Sequence, residues 1–224
     1  MQVTLKTITP RIEKNIVEIA RVSSSRTDKS ENLSELINYL IKNKHWSPFE
    51  HGFLTLEIKT SKAIGIQLIR HRSFTFQEFS QRYAVVTDLE DIEFRTQAVI
   101  NRQSSIDVIG TVSVKTPNQY PTIINATPYQ ITNLEKVQKL LYDAQNLYID
   151  LIESGVAKEC ARMILPMSTE TTIYMTGSIR SWIHLIMIRD DAHAQKEIQL
   201  IAKEMKRIFI QELPIIANAL DYFE

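Results

Sequence analysis

The 224-residue chain holds a single cysteine, Cys160, so it has neither a disulfide framework nor a cysteine-built zinc site. It has only five glycines: Gly52, Gly65, Gly110, Gly155 and Gly177. No two are spaced for G-x-G-x-x-G or G-x-x-x-x-G-K-[ST], which removes the backbone cradles that commonly hold dinucleotides and triphosphates. A nucleotide here must be held by side chains. Excess charge is also missing, since Lys plus Arg number 26 and Asp plus Glu number 26. A nucleic-acid binder working through a broad basic surface is therefore not expected, and anion recognition must be local. No uninterrupted apolar run reaches membrane-spanning length, and MQVTLKTITPRIEK lacks the apolar core of a signal peptide. These absences lead to the expectation of a cytoplasmic protein with no membrane partner.

Against this background residues 68–83, LIRHRSFTFQEFSQRY, stand out. Arg70, His71, Arg72 and Arg82 are interleaved with Phe74, Phe76, Phe79 and Tyr83. Arginine offers a planar fork of donors that matches phosphate or carboxylate oxygens in pairs and stays charged when desolvated. Aromatic neighbours exclude water and give flat surfaces for stacking. With Glu78 and Ser80 in the same stretch, the residues suit a phosphorylated, flat, heterocyclic ligand. Further along, Arg180 and His184 stand four apart and share one helix face.

The rest of the chain reads as α+β: a single domain, 1–224, with a small, mostly antiparallel sheet packed by long helices. VTLKT, FLTLEIKT and STETTIYMT alternate as strands, the second presenting Leu54, Leu56 and Ile58 to one side. Thr9 and Pro10 open a helix bearing Ile12, Ile16 and Ile19, and Ser30 is placed to cap the next. HWSPFEHG reads as a loop because of Pro48, and a short helix follows from Ser61 to about Arg70. Residues 88–130 mix short β-like pieces such as IEFRTQAVI with polar stretches and are expected to be irregular or a mobile insertion, with Lys115, Pro117 and Pro128 in a segment that could cover a ligand. T-N-L-E at Thr132 resembles a capping box, opening a helix that runs to Gly155. AKECARMIL forms a helix up to Pro166, Ser178 caps SIRSWIHLIMI, and Asp190 or Asp191 caps a long final helix.

Arg70, His71 and Arg72, followed by seven residues and then Ser80 and Arg82, match the R-H-R-x7-S-x-R signature of the flavin-dependent thymidylate synthases. HWSPFEH resembles that family's H-x-[ST]-P-F-E-H segment, and ECARMILP its E-x-A-R-x-x-L-P helix. GSIRSWIHL and RDDAHAQKEI resemble its late helices. Thr75 and Gln77 stand where the family commonly has Ser and Asn, and Ser178 and His184 where some members have Asn.

The resemblance implies a homotetramer with active sites shared between subunits. It would methylate dUMP to dTMP with methylenetetrahydrofolate as carbon donor, FAD as cofactor and NADPH as reductant, without a metal. By matching position, Ser47, Arg70, His71, Arg72, Glu78, Ser178, Arg180 and His184 would contact FAD. Gln67, Arg70, Glu78, Ser80, Gln81, Arg82, Arg162 and Arg189 would contact dUMP, with Arg189 catalytic. His45 and Tyr83 would lie on the folate side.

Arg180 and Arg189 are nine residues apart, half a turn out of phase on one helix, so they cannot grip one ligand from one face. Sites assembled from several subunits would answer this. Cys160 reads as an inert packing residue, so no enzyme nucleophile is expected. Two other readings stand beside this one. A metal-dependent nucleotide phosphohydrolase could use His184, Asp190, Asp191 and His193, although no paired His-Asp or H-E-x-x-H motif is present. An RNA-binding module could stack bases on the aromatics, against which the neutral overall charge counts.

Overall fold

Alternating and helically spaced apolar residues become strands and helices largely where the sequence puts them. The computed structural model describes residues 1–23, 32–86, 88–114, 119–126 and 130–222. In chain order come β1 (Gln2–Ile8), α1 (Ile12–Ala20), α2 (Leu33–Lys42), β2 (Phe53–Ser61), α3 (Lys62–Leu68) and β3 (Thr75–Glu78). Then follow β4 (Ile92–Gln97), β5 (Ser105–Ser113), β6 (Thr122–Ile124), α4 (Ile131–Glu153) and α5 (Lys158–Ala161). The last elements are β7 (Glu170–Ser178), α6 (Ile179–Arg189), α7 (Lys196–Glu212) and α8 (Pro214–Ala219). Among the described residues, eight helices and two small antiparallel sheets bear out the α+β class.

The chain groups into two compact units. One comprises Met1, Lys59–Leu68 and Glu78–Ile173; the other comprises Gln2–Ile58, Ile69–Gln77 and Tyr174–Glu224.

In the first unit β4, β5 and β6 form an antiparallel sheet with Ile92 opposite Val112 and Val112 opposite Ile123. Val112 and Val114 pack with Leu89, Leu134 and Leu141, which joins this sheet to α4. The expectation of irregular structure over 88–130 is therefore corrected: half of its described residues build a sheet. IEFRTQAVI, read as a β-like piece, holds β4, whose pairing with β5 is interrupted by register shifts between Phe94 and Arg95 and between Arg95 and Gln97. Lys115, Pro117 and Pro128 lie outside the described residues. α4 begins one residue before Thr132, with Gln130 at its N-cap and no side-chain bond there, so T-N-L-E is not a capping box. Its end is as expected: Gly155 takes φ 89 and Val156 N–H reaches the Leu151 carbonyl at 2.9 Å. Cys160 is exposed, not a packing residue.

The second unit holds most of the four-stranded sheet, ordered β1-β2-β7-β3. Leu54, Leu56 and Ile58 are fully buried, as their alternation predicted. Trp182 of α6 is completely buried and its indole N–H donates to the Leu54 carbonyl at 3.0 Å. Phe74 meets Trp182 edge-on, ring centroids 4.7 Å apart. Gly177 makes room for it, since a Cβ there would lie 2.4 Å from the Phe74 ring. Burying a side chain of this size contributes about 1.5–3 kcal/mol, and here it fixes the segment after Arg72 against the start of α6.

Several local expectations are corrected in this unit. Ser30 lies outside the described residues, and the cap of α2 is Asn32, whose side chain accepts from Ser34 N–H. WSPFE is a 3-10 turn over Ser47–His51 rather than an open loop, with Pro48 at its start, where a missing N–H costs nothing. Neither Asp190 nor Asp191 caps the last long helix. Gln195 occupies that position, and the Asp191 carboxylate accepts from His193 N–H at 2.7 Å. The long final helix ends before Pro214, which opens a further short helix, α8, and Glu13 caps that start by accepting from Ile215 and Ile216 N–H at 2.8 and 2.9 Å.

Candidate active site

The second unit brings together Arg70, His71, His184 and Arg189. Arg189 ends α6, and its Nε–H donates to His71 Nε2 at 3.0 Å. An arginine nitrogen can only donate here, so His71 carries its proton on Nδ1. Burial, then the charges of Arg189 and His184, lower the His71 pKa from 6.5 to about 4. The ring is thus neutral at pH 7 and able to accept. Burial and the nearby Arg70 lower the pKa of Arg189 itself. Among the described residues, no carboxylate forms an ion pair with Arg70, Arg72 or Arg189. Like charges held together in this way create a local field that an anion would relieve.

Nine residues earlier on α6 the circumstances reverse. Ser178 caps the helix, accepting from Ser181 N–H at 3.3 Å, as its sequence position predicted. Its hydroxyl donates to Glu50 at 2.5 Å, and Arg180 donates to the other Glu50 oxygen at 2.8 Å. Glu50 belongs to the 3-10 turn, and it and Arg180, 130 positions apart, both line a groove of ≈ 580 Å³. Arg180 and His184 both line this groove, as their spacing of four required, with Ile183, Met187 and Trp46 as apolar walls. The volume and mixture fit a cofactor-sized heterocycle. Ser47 is exposed at the head of the turn, and His45, also exposed, meets Tyr39 edge-on at 5.7 Å.

In the first unit the remaining candidates divide. Glu78 is held by Lys62 at 2.7 Å and by the Thr171 hydroxyl at 2.9 Å. Gln67 is half-buried on α3. Gln81 is buried, and its amide nitrogen has no hydrogen-bond partner. The Ser80 carbonyl accepts from Tyr83 and Ala84 N–H, forming a turn that leaves the Tyr83 side chain exposed. Arg82 pairs with Glu159 at 3.1 Å on the surface, and Arg162 opens a 3-10 turn after α5. The alternative metal set is not assembled: Asp191 pairs with His193 at 2.8 Å, Asp190 with Lys206 at 3.5 Å, and His184 lines the groove.

Glu50 and Lys62 were not singled out by the sequence. Glu50 could have been found from its place in HWSPFEH; nothing in the sequence signals Lys62.

The chain can be placed by comparison with known proteins. The family described as "thymidylate synthase complementing protein" matches residues 4–215. Among its relatives, a probable flavin-dependent thymidylate synthase of Paramecium bursaria Chlorella virus 1 is 45% identical over 212 residues, 94% of this chain and 91% of the relative. The flavin-dependent thymidylate synthase of Synechocystis is 41% identical over 207 residues, covering 92% and 88%. That of Thermotoga neapolitana is 31% identical over 199 residues, covering 88% and 81%. The chain belongs to the flavin-dependent thymidylate synthase family.

Proposed function

We propose that the protein makes dTMP by reductive methylation of dUMP, with methylenetetrahydrofolate as carbon donor, FAD as cofactor and NADPH as reductant. One observation carries this reading: Arg70 and Arg189 converge beside a neutral His71 with no carboxylate in contact among the described residues. In a family of this kind such a cluster is matched to the phosphoryl and ionised groups of nucleotides. The groove beside Arg180 and His184 suits FAD in size and lining. When bound, FAD supplies the hydride.

The chain's own residues bind and orient. His71, Arg72, Arg180, His184, Ser47 and Ser178 would hold the cofactor together with Arg70 and Glu78. Gln67, Ser80, Gln81, Arg82 and Arg162, with Arg70, Glu78 and Arg189, would hold dUMP, and His45 and Tyr83 would face the folate. Arg189 is the catalytic residue: its guanidinium, fixed through Nε by His71, leaves its remaining N–H groups to stabilise negative charge developing on the uracil. Cys160 takes no part, so no enzyme nucleophile attacks the ring. Residues 1–224 act as one domain, which the family match over 4–215 supports. The opposite facing of Arg180 and Arg189 on α6 favours a homotetramer with shared sites.

Among the described residues no helix is long and apolar enough to cross a membrane; a cytoplasmic location is part of the proposal. The test is the visible spectrum of the purified protein. Flavin peaks that bleach with NADPH and shift on adding dUMP, with dTMP formed when methylenetetrahydrofolate is supplied, are expected. A colourless protein that takes up neither FAD nor dUMP would overturn the reading.

A further inference from the structure

Helices α2 and α4 end in the same backbone motif, built with different residues. After α4 the left-handed position is Gly155, at φ 89. After α2 it is Lys44, at φ 57, with its N–H on the Ile41 carbonyl at 3.0 Å and His45 N–H on the Leu40 carbonyl at 2.8 Å. Glycine is the residue this turn favours, because a Cβ crowds the neighbouring carbonyl. α4 follows the rule and α2 breaks it.

The Lys44 side chain gives nothing back to the fold. Among the described residues its ammonium has no ion-pair or hydrogen-bond partner, and it is exposed. It does line the groove, alongside Trp46, Ile183 and Met187. There the charge of Arg180 is already met by Glu50 at 2.8 Å. Lys44 therefore supplies the groove with a positive charge that no group among the described residues neutralises.

We infer that Lys44 is a ligand-contacting residue that takes a phosphoryl group of a dinucleotide whose flat ring lies against Trp46, Ile183 and Met187. This rests on the reading of the groove as a cofactor site. The phosphoryl group can come from FAD or from NADPH, and the experiment separates them. Lys44→Gly, Lys44→Asn and Lys44→Arg are made in the full chain; asparagine is included because it also tolerates the left-handed turn. Thermal midpoint, FAD dissociation constant and the concentration dependence of NADPH-driven bleaching are measured at two ionic strengths.

Lys44→Gly is expected to raise the midpoint by roughly 2–4 °C. It should also weaken one dinucleotide about 5- to 10-fold, as loss of a charge-assisted contact does. Lys44→Asn should share the weakening, and Lys44→Arg should bind nearly as the parent does. Added salt should weaken the parent's binding more than that of Lys44→Gly. Loss in the FAD arm assigns the phosphoryl group to FAD, and loss in the NADPH arm to NADPH. A glycine variant that gains stability while both arms stay unchanged would overturn the inference and leave Lys44 a surface residue. A parent protein that binds neither dinucleotide would overturn the cofactor reading itself, and the inference with it.

Discussion

Helix α6 carries an arginine at each end, and the two are treated in opposite ways. Arg180 meets a carboxylate, Glu50, that also takes the hydroxyl proton of the helix cap Ser178. Arg189 meets a neutral imidazole and, beyond it, the charge of Arg70. A paired arginine shapes its surroundings and asks nothing of a ligand. An arginine kept among like charges is held ready for an anion, at some expense in stability. One helix thus contributes a groove wall at its start and, at its end, an arginine without a carboxylate partner among the described residues.

Arg189→Ala tests the second half of that comparison and should have the largest effect. Turnover is expected to fall about 1000-fold, roughly 4 kcal/mol of lost charge stabilisation. Flavin absorbance should persist, and the thermal midpoint should hold or rise because the contact with Arg70 is relieved. A variant that loses stability yet keeps turnover would make Arg189 a structural arginine of the Arg180 kind.

Glu50→Ala attacks the first half. It removes the partner of Arg180 and the acceptor of Ser178. Because the ion pair is about half exposed, the combined cost is about 1–2 kcal/mol, or roughly 2–8 °C in a thermal melt. Glu50→Gln should recover most of the Ser178 contribution but not the charge pairing. Equal melts for all three proteins would show that the groove wall does not depend on Glu50.

His71 sharpens the comparison through pH. The folded pKa is about 4 against an ordinary 6.5, so the unfolded chain binds more protons between those values. Stability is therefore full above pH 6.5 and declines as the pH falls toward 4. The ring is only half-buried, so the contribution is on the order of 1 kcal/mol after screening. Urea unfolding across this range should show the decline, and His71→Gln should flatten it. An unchanged slope in the variant would assign the decline to other groups.

The smallest expected effect is at Cys160. It is exposed, and its replacement by alanine should leave turnover within about twofold and stability within about 0.5 kcal/mol. Inactivity in a folded Cys160→Ala protein would restore an enzyme nucleophile.

How far these features could be read beforehand depended on how local their causes are. The burial of Leu54, Leu56 and Ile58 follows from alternation, and the Ser178 cap from a hydroxyl three residues before the N–H it accepts. Caps at Asn32 and Gln195 were misplaced by a few residues because several polar residues compete there and packing chooses the one that leaves the helix. The β-like character of IEFRTQAVI was legible, but its assembly with β5 and β6 into a sheet was not, because strand pairing across polar intervening stretches is decided by packing and the register is interrupted.

The family, the arginine-rich signature and the shortage of glycine were decided by residue types at fixed spacings, which a linear chain displays without folding. Which arginine has a counter-charge was not. Glu50 reaches Arg180 across 130 positions, and His71 reaches Arg189 across 118. Electrostatic environment depends on distance through space and on the exclusion of water, and only the folded chain sets either.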